Sequence, residues 1–134
     1  MRTPSQTVGP FFTIGLSRGQ QNELPGGSVV LRGRILDGEG NPVEDALVEL
    51  WSPEHGFARC ATASDGDFRF LLPPEARRLE VMVFARGLLK PVLTRLYVPD
   101  EKAEDETMLA RQEEDGLRFD IHLQGEQETA FFEL

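Results

Sequence analysis

Arg86 is the residue whose type and setting most suggest chemistry, because it ends an apolar, strand-like run, Leu79–Ala85. A second such run, Val92–Val98, follows after a short connection. A guanidinium group is always charged, and its planar fork of N–H donors matches the two oxygens of a carboxylate. Two interpretations are open from the residues alone: a solvated or salt-bridged loop arginine, or an arginine that binds an anionic ligand.

Other residue types that carry catalysis are scarce. The chain has two histidines, His55 and His122, one cysteine, Cys60, and one tyrosine, Tyr97. No H-x-H, H-x-x-E-H or C-x-x-C spacing occurs, so close-set side chains do not offer a metal site. We therefore predict no metal site in this chain, and we interpret Cys60 as a small packed residue.

Length and charge narrow the functional classes. A chain of 134 residues suits one domain with one core. Its 14 basic and 23 acidic residues give a net charge of −9, which argues against nucleic acid or an anionic membrane as a partner. The single cysteine excludes an intrachain disulfide, and no apolar run approaches the roughly 20 residues that span a bilayer. With no leader-like segment, we expect a cytoplasmic protein.

Short alternating segments separated by turn signals must position these residues. They predict an all-β fold, an antiparallel β-sandwich. The predicted strands are Ser28–Leu36, Ala46–Trp51, Arg59–Ala63, Phe68–Leu72, Leu79–Ala85, Val92–Val98, Leu117–Gln124 and Ala130–Phe132. A short helix is predicted over Thr107–Gln112, with Thr107 as its cap.

We predict that residues 1–27 form an extended N-terminal arm. The sandwich domain then covers residues 28–134. Proline and glycine recur in the arm too often for a helix. Phe11 and Phe12 follow a Gly-Pro turn, and aromatic rings of this size favour burial. We expect the arm to dock either on its own domain or on a partner chain.

Several segments together resemble the intradiol ring-cleavage dioxygenases, and among them the α chains of the heteromeric members. The segments follow the family order and are TPSQTVGPFF (3–12), DGEGNPVEDA (37–46), ELW (49–51), FARGLL (84–89), TRLY (94–97), RFDI (118–121) and QGE (124–126). The second segment is common among transthyretin-like β domains, whereas TPSQTVGPFF and FARGLL are specific.

The resemblance implies a transthyretin-like sandwich of the intradiol dioxygenase type, paired with a homologous β chain. In that family the β chain holds a ferric ion with two tyrosines and two histidines. The iron activates a bound catecholate for attack by dioxygen. The ring of protocatechuate is then cut between its hydroxyl-bearing carbons, giving 3-carboxy-cis,cis-muconate.

The family's iron ligands are missing from this chain. Aligned backwards from FARG, the two histidines fall on Arg78 and Glu80, and one tyrosine falls near Phe57. The segment with the other tyrosine is absent. Arg78 and Glu80 are two residues apart on a strand and share a face, so we predict that they pair with each other.

The resemblance also implies a binding role for five residues. Thr7, Gly9, Pro10 and Phe11 from the arm, with Arg86, would line the substrate pocket of the β chain. Arg86 would then meet the substrate carboxylate or charge that develops in the reaction. The alternative is a stand-alone transthyretin-like binding or structural module without catalysis, whose fold would need neither specific segment.

Overall fold

The structure is a computed structural model that describes residues 21–86, 88, 90–124 and 128–132. The regular structure of these residues is almost entirely β, as the alternating sequence predicts, and comprises nine strands. They are β1 (Val29–Leu36), β2 (Leu47–Ser52), β3 (Gly56–Ala61), β4 (Asp67–Leu72), β5 (Arg78–Phe84), β6 (Val92–Tyr97), β7 (Arg111–Glu113), β8 (Gly116–Arg118) and β9 (Ile121–His122).

The strands form two sheets, which confirms the predicted all-β sandwich. One sheet has the order β4-β1-β8-β7, with β9 also paired to β1, and the other has the order β3-β2-β5-β6. Most pairs are antiparallel, but β1 pairs in parallel with β8 and β9. The second sheet positions Arg86, because β5 lies at its interior between β2 and β6.

The core lies between the sheets and follows the alternation of each strand. Leu31 and Ile35 of β1 face inward, and so do Val81 and Val83 of β5; all four are fully buried. The rings of Phe68 and Phe70, both buried, have their centroids 6.0 Å apart in an edge-on arrangement. Burying such apolar area is the main stabilising term for a sandwich of this size. The face of the second sheet that points away from this core bears polar and aromatic side chains.

The helix predicted over Thr107–Gln112 is wrong. Only one 3-10 turn, Glu106–Met108, forms there, and its cap is Asp105, whose carboxylate accepts a hydrogen bond from the Thr107 backbone N–H. Arg111–Glu113 instead pairs with β8 as strand β7. The local hairpin with β8, which is itself paired to β1, outweighs the weak helix preference.

The last predicted strands are shorter in the structure. Leu117–Gln124 keeps the predicted inward side chains but divides into β8 and β9. The Asp120 carboxylate, between them, accepts hydrogen bonds from the Arg34 backbone N–H and from Arg118 Nε. Of Ala130–Phe132, only Phe132 makes a β-bridge, to Leu93.

The described end of the predicted arm, residues 21–27, packs on the sandwich. Leu24 is fully buried, and its N–H donates to the Leu71 carbonyl over 3.0 Å. The Arg59 N–H donates to the Gln21 carbonyl over 2.8 Å, so Gln21 lies beside β3. Residues 1–20 lie outside the described residues, and the division into an arm and a domain remains a prediction. Within the described ranges no helix is long and apolar enough to cross a bilayer.

Candidate functional site

Arg86 lies just beyond the end of β5, where it meets Asp45. The antiparallel register pairs Leu47 of β2 with Phe84 of β5. Continued two residues beyond the strands, the same register places Asp45 opposite Arg86. Their side chains form an ion pair, with Arg86 Nη2 3.5 Å from Asp45 Oδ2. The sheet thus brings the predicted site arginine to a carboxylate from a different strand.

The backbone of Asp45 is in an uncommon conformation that a neighbouring threonine stabilises. Its φ is 61°, in the left-handed region that few residues other than glycine adopt. The Ala46 N–H donates to Thr62 Oγ1 over 3.0 Å, and the Thr62 hydroxyl donates to the Val43 carbonyl over 3.1 Å. The Thr62 N–H donates to the Ala46 carbonyl as well. This buried threonine therefore fixes the turn on both sides of Asp45.

Arg86 has unused capacity to bind a ligand. Its side chain is 62% exposed, and its partner Asp45 is 41% exposed. A single 3.5 Å contact engages only part of a guanidinium group, which has five N–H donors. Within the described residues Asp45 is the one ion-pair partner of Arg86, and a ligand carboxylate can replace the water around its other donors with a charge-assisted bond. The arrangement suits an anionic group that approaches the end of β5.

The positions aligned with the family's iron ligands lie on the outer face of the second sheet. We use the term outer face for the exposed side of β3, β2, β5 and β6. Phe57 pairs with Trp51, and Trp51 pairs with Glu80, so the three side chains form one row across the sheet. Trp51 is 48% exposed and Phe57 40% exposed.

Glu80 pairs with Arg95 and not with Arg78, so the predicted Arg78–Glu80 pair is wrong. Arg95 Nε donates to Glu80 Oε2 over 3.0 Å. The two residues are direct neighbours in the register of β5 and β6. Cross-strand neighbours are closer than residues two apart along one strand, so the facing arginine takes the carboxylate.

Arg95 is the centre of a larger network. Its Nη1 donates to Glu104 Oε2 over 2.8 Å, and Tyr97 Oη donates to Glu104 Oε1 over 2.6 Å. Its guanidinium lies 4.6 Å from the centre of the Phe132 ring, a cation–π contact. The hydrogen bond from Tyr97, followed by weaker contributions that include the charge of Arg95, lowers the pKa of Glu104. This network fastens the loop around Glu104 to β6.

The outer face does not fit a ferric ion. Phe57 offers no ligand atom, and its ring instead lies 4.8 Å from the guanidinium carbon of Arg59. The Glu80 carboxylate is already bound to the cation of Arg95, which would repel a metal ion. In the described parts of the chain no three histidine, cysteine or acidic side chains cluster in a way that could hold a metal. We derive no metal chemistry from this face.

An apolar depression of about 420 Å³ occupies the same face. Trp51, Phe57, Met82 and Leu93 form its walls. Its acidic lining residues are bound to arginines, since Glu49 lies 3.8 Å from Arg59 and Glu80 is paired as described. The depression therefore offers packing surface but no nucleophile or free base.

The structure does not describe the four predicted site residues of the arm, and it places Cys60 in an unreactive setting. Thr7, Gly9, Pro10 and Phe11 lie outside the described residues, and their role as pocket residues stays a prediction. Cys60 is half-buried, and burial raises the pKa of its thiol, which disfavours the reactive thiolate. Sequence reasoning missed Asp45 and Thr62, because their roles depend on contacts between strands that are far apart in the chain.

Comparisons with known proteins place the chain in a family. The chain is 29% identical to the protocatechuate 3,4-dioxygenase alpha chain of Burkholderia cepacia, over 99% of this chain and 98% of that protein. It is 30% identical to the alpha chain of the same name from Pseudomonas putida, over 98% of this chain and 96% of that protein. Both alignments span 192 positions, so at least 58 of them, 192 less 134, have no counterpart here. The segments missing from this chain are therefore real differences from these relatives.

Solved structures show the same fold. Hydroxyquinol 1,2-dioxygenase from Pseudomonas putida DLL-E4 matches with a TM-score of 0.60 at 18% identity, over 89% of this chain and 65% of that one. The dioxygenase domain of a carbohydrate-binding fusion from Streptomyces sp. SirexAA-E matches with a TM-score of 0.59 at 22% identity, over 75% and 82%. No protein-family model matches the chain. Its near full-length likeness to the two alpha chains nevertheless shows that this chain belongs to the intradiol dioxygenases, on the side of the protocatechuate 3,4-dioxygenase alpha chains.

Proposed function

We propose that this chain is the iron-free α subunit of a protocatechuate 3,4-dioxygenase, which completes the substrate pocket of a β subunit. The observation that carries the proposal is the near full-length likeness to two proteins named as alpha chains of this enzyme. The outer face supports it, because Phe57 and Glu80 replace metal ligands with an apolar ring and an ion-paired carboxylate. The ferric ion then belongs to the β subunit, where it supplies the chemistry of ring cleavage.

In this proposal Arg86 binds the negative charge of the substrate. Protocatechuate carries a carboxylate, and the exposed guanidinium of Arg86 can donate to it or to charge that develops as the ring opens. The chain carries a net charge of −9, so its overall field repels an anionic substrate. A local arginine is therefore needed wherever this chain meets that anion.

The proposal also includes the predicted arm, the reaction product and the cellular location. Thr7, Gly9, Pro10 and Phe11 would line the same pocket from the side of this chain. The product would be 3-carboxy-cis,cis-muconate, formed when both atoms of dioxygen enter the cleaved ring. The cytoplasmic location expected from the sequence is also part of the proposal.

A stand-alone transthyretin-like module is the competing function. Such a module would need only the sandwich and its core. The half-exposed Trp51 and the neighbouring Phe57 do not suit an isolated monomer, since adjacent aromatic side chains on a surface favour contact with another molecule. The segments missing relative to the alpha chains are the feature that favours the module.

Co-expression with a β-type chain tests the proposal. We expect the two chains to elute together in size-exclusion chromatography, with iron and with oxygen uptake on protocatechuate. Arg86→Gln should lower kcat/KM by about 10- to 100-fold without dissociating the complex, because one charge-assisted hydrogen bond is worth about 1.5 to 3 kcal/mol.

Arg32→Gln is the matched control, because Arg32 is also an exposed arginine with a carboxylate partner, Asp115, at 3.2 Å. It lies on β1 in the other sheet, and its loss should leave kcat/KM unchanged. If this chain elutes alone as a stable monomer and does not raise the oxygen uptake of the β-type chain, the subunit proposal is wrong. The stand-alone module then becomes the better interpretation.

A further inference from the structure

The aspartate that pairs with Arg86 occupies a left-handed backbone position that few residue types tolerate. Glycine, asparagine and aspartate adopt a left-handed φ such as the 61° of Asp45 more readily than most residues do, and of these three only aspartate carries a charge that can pair with Arg86. The turn itself is fixed by the Thr62 hydroxyl and the backbone of Val43 and Ala46, and among the described residues the Asp45 carboxylate makes no hydrogen bond to it. The carboxylate of Asp45 is therefore not needed to form the turn.

The ion pair between Asp45 and Arg86 also adds little to the stability of the fold. Both side chains are largely exposed, at 62% for Arg86 and 41% for Asp45, and their closest atoms are 3.5 Å apart. Ion pairs of this kind contribute little to the free energy of unfolding. What the contact does is to restrict the directions that a long, exposed arginine side chain can take.

We propose that Asp45 is a positioning residue, which holds the Arg86 guanidinium in the direction from which it binds the substrate anion. This inference rests on the proposed function, in which Arg86 belongs to the pocket. The Asp45 backbone is rigid because Thr62 is buried and bonded on both sides of the turn. The carboxylate is thus a fixed point to which one edge of the guanidinium is attached, while the other edge stays available for the substrate.

Two effects of Asp45 on substrate binding oppose each other. Its negative charge competes with the substrate for Arg86, whereas its contact reduces the side-chain entropy that binding would otherwise cost. An exposed pair at 3.5 Å competes weakly, and ordering a free arginine costs more. The positioning effect wins, so removal of the carboxylate should weaken substrate binding and not strengthen it.

The test is steady-state oxygen uptake by the α/β complex, with this chain in its wild-type form and as Asp45→Asn, Arg86→Gln and the double variant. Asparagine keeps the size of the side chain and tolerates the left-handed φ. We expect Asp45→Asn to raise KM for protocatechuate about 3- to 10-fold with kcat changed less than about 2-fold. In the Arg86→Gln background the same change should have no further effect, since the residue acts through Arg86.

Asp115→Asn is the control for removing an exposed, arginine-paired carboxylate, and it should leave KM unchanged. If Arg86→Gln alters neither KM nor kcat, the pocket role of Arg86 fails and the positioning role fails with it. If Arg86→Gln lowers kcat/KM but Asp45→Asn leaves KM unchanged or lowers it, the proposed function stands and the positioning inference is overturned.

Discussion

Two arginines of the same sheet, Arg95 and Arg86, are bound in opposite ways. Arg95 is 22% exposed and contacts Glu80, Glu104 and the ring of Phe132. Arg86 is 62% exposed and has one 3.5 Å contact to a carboxylate. Arg95 has bonds from both Nε and Nη1 to the protein, whereas Arg86 makes one ion-pair contact among the described residues and keeps donors in solvent.

The difference separates structural charge from charge that can serve a ligand. On the outer face Arg95 neutralises Glu80 and holds the loop around Glu104 against β6, so this charge serves the scaffold. At the end of β5 the scaffold instead presents a cation and restricts it from one side through Asp45. The residue proposed to bind the substrate is therefore the one whose donors the described residues occupy least.

Removal of the two guanidinium groups should give the largest contrast. We expect Arg95→Gln to lower the free energy of unfolding by about 2 kcal/mol, because it leaves two carboxylates without their shared cation. Arg86→Gln should change it by less than about 0.5 kcal/mol, as for an exposed ion pair. Urea unfolding of the lone chain measures both. Equal losses for the two variants would contradict the distinction between a structural and a ligand-binding arginine.

Thr62 should have a smaller effect, intermediate between the two. Thr62→Val removes the acceptor for the Ala46 N–H and the donor to the Val43 carbonyl, both in a buried setting. We expect a loss of about 1.5 kcal/mol in the free energy of unfolding, from the unsatisfied backbone groups. Thr62→Ser keeps the hydroxyl and should retain most of that stability. A loss as large for serine as for valine would mean that packing, and not hydrogen bonding, fixes the turn at Asp45.

The smallest expected effect concerns pH. The hydrogen bond from Tyr97 lowers the pKa of Glu104 below its ordinary value of 4.5. A carboxyl group whose pKa is lower in the folded chain stabilises the fold above its ordinary pKa, and this contribution is lost as the pH falls through the lowered value.

Urea midpoints of wild type and Tyr97→Phe should therefore differ by a constant amount from about pH 8 to 6 and converge below about pH 4.5. The measurement compares the two proteins at each pH under the same salt concentration, because exposed charges are screened by salt. A difference that grows on acidification would show that Tyr97 does not act on this carboxylate.

The sequence was sufficient for features that depend on alternation. Leu117, Phe119 and Ile121 are buried as the period of two predicts, although an Asp120 carboxylate bonded to Arg34 divides their strand. The parallel pairing of that segment with β1 could not be predicted from the local sequence, because it joins residues about 86 positions apart. The helix predicted over Thr107–Gln112 failed for a different reason, because Arg111–Glu113 forms a local hairpin with β8.

The candidate site shows a similar limit. Arg86 stands out in the sequence because a charge interrupts apolar residues. Asp45 could not be recognised as its partner, since only the register of β2 and β5 brings the two together. Glu80 was assigned to Arg78 on the same strand because the facing residue, Arg95, is known only once β6 is paired with β5.

The central claim, that this chain completes the active site of another, is tested most directly by titration. A fixed amount of β-type chain is mixed with increasing amounts of this chain, and oxygen uptake on protocatechuate is recorded. We expect turnover to rise and to saturate at equal molar amounts, and Arg86→Gln to saturate at the same ratio but at a lower kcat/KM. Turnover that does not depend on the added chain would contradict this claim.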